Sequence, residues 1–168
     1  LVANYNYLLK VANNLNGKRW DTLSYRLTRK DMYVSSANLG RAFQRMLSEP
    51  KSKQHHIKEL HEFVVLNHML SSYISTLIHS THSVSSNVIR THHIKSIRKS
   101  LYGLSEMIQR FPLPHVVQFE DTVYLASTQV KKETLLEEDY DSKILSEQLE
   151  LVNQVVKDLS KINDYLLN

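Results

Sequence analysis

Three features of this 168-residue sequence predict an all-α fold, an up-and-down bundle of four long helices with one or two shorter ones. Apolar residues recur three and four positions apart along most of the chain, the period of a helix face. Only three glycines and three prolines occur, too few for the many tight turns a sheet protein needs. The apolar fraction, 42%, is enough for one domain of this length (1–168) to bury a core.

Taken in order, a short helix is expected within residues 1–17. Tyr5, Leu8, Leu9 and Ala12 share a side, and Gly17 stands where a helix terminator belongs. Three long helices are expected over 21–110. The first starts on Asp21, a good N-cap, and stops before Pro50. Its apolar stripe begins with Trp20, Leu23, Leu27 and Val34 and continues through Leu39, Phe43, Met46 and Leu47. The next has Ser52 as its cap and runs to about His82, with Ile57, Leu60, Val64, Ser71, Ile74 and Ile78 on one face. Val65, Leu66, Met69, Tyr73 and Leu77 occupy much of the rest, which marks a central helix. Ser71, Ser72 and Ser75 leave room for close neighbours, and Ser83, Ser85 and Ser86 read as a turn.

The third long helix, 87–110, carries a bundle seam at Ile94, Ile97, Leu101, Leu104 and Ile108, and Pro112 and Pro114 end it. A C-terminal helix within 140–168 repeats the seam at Gln148, Val152, Val155, Leu159, Ile162 and Leu166. Glu137, Glu138, Asp139 and Asp141 cluster before it, where carboxylates favour a helix start. The connector 111–139 is expected to be partly helical, on Val116, Phe119, Val123, Ala126 and Val130; the alternative is a partly extended linker, because Thr122, Val123, Tyr124 and Thr128 suit strands.

Charge is divided along the chain. Residues 1–110 hold 16 Lys and Arg against six Asp and Glu, and residues 111–168 hold five against eleven. A basic first part can face nucleic acid, an anionic membrane surface or the chain's own acidic 133–150 segment. Arg26, Arg29, Lys30, Arg41 and Arg45 follow helical spacing, as do Lys95, Arg98 and Lys99. Without a helix-turn-helix signature or an aromatic stacking platform, we expect no nucleic-acid partner. Nine tyrosines against four phenylalanines suit wet interfaces, with packing at the core edge as the plain alternative.

Chemistry finds little purchase. The absence of cysteine removes disulfides, thiolate ligands and thiol nucleophiles. No Gly-x-Ser-x-Gly elbow or glycine-rich phosphate loop occurs. Among nine histidines, His61 and His68 can share a helical face, as can His79 and His82, whereas the adjacent pairs His55–His56 and His92–His93 point about 100° apart on a helix. Neither Glu-x-x-His nor the zincin motif is present. We therefore expect exposed or interfacial histidines, and assign no catalytic, cofactor-binding or metal-binding residue. No apolar run nears the ~20 residues of a membrane span, and no signal-peptide pattern opens the chain. It begins with Leu1 rather than Met, and we expect it to be part of something larger.

One block of sequence resembles a known family. Tyr25-Arg26 precedes Arg29-Lys30, followed by Ala37, Leu39, Met46 and Glu49-Pro50; Leu66, His68, Leu70, Tyr73-Ile74-Ser75 and Leu77 form a second group. Over residues 1–82 this order and spacing is similar to the soluble region of the YccS/YhfK-type branch of the fusaric-acid-resistance (FUSC) group of bacterial inner-membrane proteins. Asp31, Met32 and Tyr33, and the ending Ile78, His79, Ser80, depart from the pattern.

The resemblance implies transmembrane segments before Leu1, with this domain in the cytoplasm of an efflux-like transporter, serving assembly or regulation rather than catalysis. Its partners would be its own transmembrane region, an anionic membrane surface and a further copy in a homo-oligomer. From charge and position, Arg26, Arg29 and Lys30 are the candidates for an electrostatic contact. Two other readings stay open: a free-standing helical interaction or signalling module, and a metal- or ligand-binding bundle.

Overall fold

The computed structural model describes residues 1–15, 21–83, 91–111 and 140–167, without the side chains of 79–83. The described residues form an all-α bundle with five helices among them: α1 (Val2–Leu15), α2 (Thr22–Leu47), α3 (Ile57–Ser83), α4 (Thr91–Arg110) and α5 (Tyr140–Leu167). Four are long and α1 is short, with 14 residues. The expected helix over 116–130 and the turn at Ser85 and Ser86 lie outside the described residues.

Helix starts and stops follow local chemistry. The Asp21 carboxylate accepts from the Leu23 amide at 3.1 Å, as an N-cap does. The end of α2 is tied down by Gln54, whose Nε2 donates to the carbonyls of Leu47 (3.0 Å) and Glu49 (2.7 Å). Ser52 does not cap α3. Lys51–Lys53 form a 3₁₀ turn, and α3 begins only after His56, whose φ of 52° lies in the left-handed region that bends the chain sharply.

Packing puts α3 at the centre, against α1, α2 and α5, while α4 lies between α1 and α5. Most seam positions are buried as their spacing predicts: Ile97, Leu101, Leu104 and Ile108 of α4, and Val152, Val155, Leu159 and Ile162 of α5. Ile94, Gln148 and Leu166 are only half-buried, and Met107, Leu145, Leu149 and Val156, outside the expected seams, are buried with them, since the inward side of α5 passes through Leu149 rather than Gln148. Polar links set the register. Asn4 of α1 donates to Asn67 Oδ1 at 3.0 Å and accepts from Ser71 Oγ at 2.9 Å, satisfying a buried polar trio.

Helix directions alternate from α1 through α4, and the up-and-down order then departs at α5. His93 pairs with Ser142, Ser100 with Asn153, and Arg110 with Asp164. Rising numbers on both helices mean that α4 and α5 run side by side in the same direction. Parallel neighbours need a long return connection rather than a tight turn, and residues 112–139 join the far end of one to the near end of the other.

The apolar stripe expected along α2 divides into two faces. Tyr25, Met32, Ser36, Leu39, Phe43 and Met46 face inward, but Leu23, Leu27 and Val34 are exposed. The cause is the position of α2 outside the main bundle, where it touches α1 and α3 alone among the described helices.

Candidate functional site

The resembling residues sit mainly where α2, α3 and α1 meet. Tyr25 stacks on buried Tyr7, with ring centroids 5.9 Å apart and hydroxyls 3.2 Å apart. Burial, reinforced by Tyr25, pushes the Tyr7 phenol well above its ordinary range. Lower down, His68 Nδ1 lies 2.8 Å from the Ser36 hydroxyl, and its ring passes 3.9 Å from the position of a Cβ at Gly40. His61, about two turns earlier on the same side of α3, has its ring centroid 5.7 Å from that of Phe43. His61 and His68 therefore share a flank of α3, as their spacing predicts, but each contacts α2.

Arg26, Arg29 and Lys30 are all exposed on one arc of α2. Arg29 is turned over the Tyr33 ring, 5.5 Å from its centroid, a cation–π geometry. Their contact, the Arg29 guanidinium acting on the phenol, lowers the Tyr33 pKa and raises that of Arg29. Arg26 and Lys30 point to solvent, and no described part of the acidic C-terminal helix reaches them, since α2 and α5 do not touch. Residues 133–139 lie outside the described residues.

A cavity of about 240 Å³ opens at the lower end of the bundle. Leu39, Phe43 and Met46 of α2, Leu60 and Phe63 of α3, and Phe111 form most of its wall. Asn4, in the first turn of α1, is level with Asn67 and Ser71, so Leu60–Val64 lie below that contact. The sequence signalled each of these side chains as apolar, but not that they surround a space, because that depends on how α2, α3 and α5 are placed against one another.

The histidines divide by environment. His55, His56, His61, His68 and His92 are exposed, and His93 is fully buried. Its Nε2 is 3.1 Å from the Ser142 carbonyl and 2.9 Å from Ser146 Oγ, while His92 Nε2 reaches the same Ser146 hydroxyl at 3.0 Å. This cluster joins the upper ends of α4 and α5; hydrogen bonding lets the imidazole lie in the core. The pair His79 and His82 lies outside the described side chains. Among the described residues no three His, Asp or Glu side chains gather as metal ligands, and no helix is long and apolar enough to cross a membrane.

No family model, curated protein or solved structure matches the chain.

Proposed function

We propose that this chain is the soluble helical domain of a FUSC-type, efflux-like inner-membrane transporter, placed on the cytoplasmic side and serving assembly or regulation rather than catalysis. The observation that supports this reading best is where the resembling residues lie. Tyr25 stacks on α1, His68 bonds Ser36 across the α2–α3 contact, Leu70, Ile74 and Leu77 are buried, and the peptide carbonyl of Glu49 is held by Gln54. They specify how a helical hairpin is folded and seated, which is the task of a scaffold. Arg26 and Lys30 add an exposed cationic edge on the outside of that hairpin.

The test is the whole protein. A reading frame upstream of Leu1 with several apolar spans of ~20 residues, and a product released from membranes only by detergent, is the expected outcome. An upstream frame without such spans, with the product in the soluble fraction, overturns the proposal.

A further inference from the structure

The outer side of α2 has a composition that its inward packing does not explain. At about 100° per residue, Leu23, Leu27, Val34, Arg41 and Arg45 fall on one line along the helix, opposite Met32, Ser36 and Phe43. Leu23 is 68% exposed, Leu27 53% and Val34 49%. Arg26 and Lys30 flank this line, and Asp31 is the one acidic residue within α2. Among the described residues no carboxylate pairs with Arg26, Lys30, Arg41 or Arg45.

We infer that this ridge docks on an anionic lipid surface. Leu23, Leu27 and Val34 enter the headgroup layer, and the arginines and Lys30 engage lipid phosphates. The shape argues for lipid over a folded protein partner. The ridge is the convex back of a helix 26 residues long, about 39 Å from end to end. Its apolar line is one side chain wide, and cations extend it along the same axis. A fluid interface accommodates such a ridge without a matching groove, and apolar side chains with flanking Lys and Arg are how interfacial helices bind. The inference deepens the reading above by naming a partner for the soluble domain. It is tested on the chain alone, so a missing transmembrane region and a missing lipid contact give different results.

The experiment is co-sedimentation with vesicles containing phosphatidylglycerol or only phosphatidylcholine. Binding is expected to the first and not the second, and to weaken with salt. Each Lys or Arg near an anionic surface is worth about fivefold in binding, so Arg41→Gln with Arg45→Gln is expected to weaken it about 25-fold. Because the chain lacks cysteine, Leu27→Cys carries one environment-sensitive dye. Its emission is expected to shift to the blue on anionic vesicles, while a dye at Glu147→Cys on α5 does not respond. Absence of pelleting, equal pelleting with both vesicles, or an unshifted dye at position 27 overturns the inference. So does a concentration-dependent dimer abolished by Leu23→Ser/Leu27→Ser/Val34→Ser, which assigns the ridge to a second copy. Polyglutamate binding as tight as vesicle binding and unaffected by those three changes also overturns it, in favour of an acidic protein.

Discussion

Val156 of α5 occupies the space that a side chain at Gly103 of α4 would need: its Cγ1 stands 2.9 Å from the position of a Cβ there. The parallel pair is drawn close by small residues on α4. Ser100 donates to Asn153 Oδ1 at 2.7 Å, and Asn153 Nδ2 donates back to Ser96 at 2.6 Å. Gly103 continues the same side one turn further on.

Gly103→Ala therefore sets two effects against each other. Helix propensity gains about 1 kcal/mol, and overpacking costs about 1–3 kcal/mol. Val156 is β-branched and stiff at χ1, so it yields only if the helices part. The expected result is a net loss of stability in urea titration, recovered by adding Val156→Ala. If Gly103→Ala alone raises the midpoint, the close approach is not what holds this position.

How much of this was legible beforehand depends on what each feature requires. The seams of α4 and α5 were legible because Ile97, Leu101, Leu104, Val152 and Leu159 face the core by period alone, and their burial follows. Asp21 was legible as a cap because capping is local. Direction was not: a seam has the same period whether its partner runs up or down, so the parallel pairing of α4 and α5 emerges only from cross-helix bonds such as Ser100 to Asn153. Leu23 and Phe43 looked like one stripe because a 26-residue helix offers enough apolar positions to draw more than one line. The basic arc at Arg26, Arg29 and Lys30 was legible as charge, but the turn of Arg29 onto Tyr33 was not.

Tyr7 gives the fold an alkaline limit. Its ring is fully buried and its phenol is pushed upward by desolvation and by Tyr25. The unfolded phenol titrates near about 10. A raised folded-state pKa means that the stabilising contribution is complete below that value and is lost as pH rises through the interval above it. The contribution falls by about 1.4 kcal/mol per pH unit within that interval. Tyr7→Phe is expected to lose about 1 kcal/mol at neutral pH with the Tyr25 hydrogen bond, and to show a shallower alkaline fall than the parent. Parallel stability curves for the two proteins above pH ~10 would contradict this account.

Asn163 is a buried amide at a cost. It is fully inaccessible on α5, and neither its Oδ1 nor its Nδ2 has a hydrogen-bond partner among the described residues. An unmet buried polar group costs about 1–3 kcal/mol. Asn163→Leu replaces it with a side chain of similar length beside Leu159 and Ile162, also buried. Stability is expected to rise by about 1–3 kcal/mol, read as a higher urea midpoint with an unchanged slope. A fall would mean that the amide is satisfied or that the added branch does not fit.

The bond between Ser36 and His68 is the polar point of the α2–α3 contact, and it separates packing from pairing. Ser36 is buried beside a half-exposed neighbourhood, and the imidazole reaches it at 2.8 Å from an exposed position on α3. Ser36→Ala keeps the volume nearly constant and removes one partner, so the loss is that of a hydrogen bond, about 1 kcal/mol. His68→Ala removes the other partner together with the ring that passes Gly40, and is expected to cost somewhat more. If the two side chains act as a pair, the double variant loses less than the sum of the single ones, by about 0.5–1.5 kcal/mol. Strictly additive losses in the urea titration would show that the hydroxyl and the imidazole contribute independently, and that their 2.8 Å contact adds nothing of its own to the seating of α2 on α3.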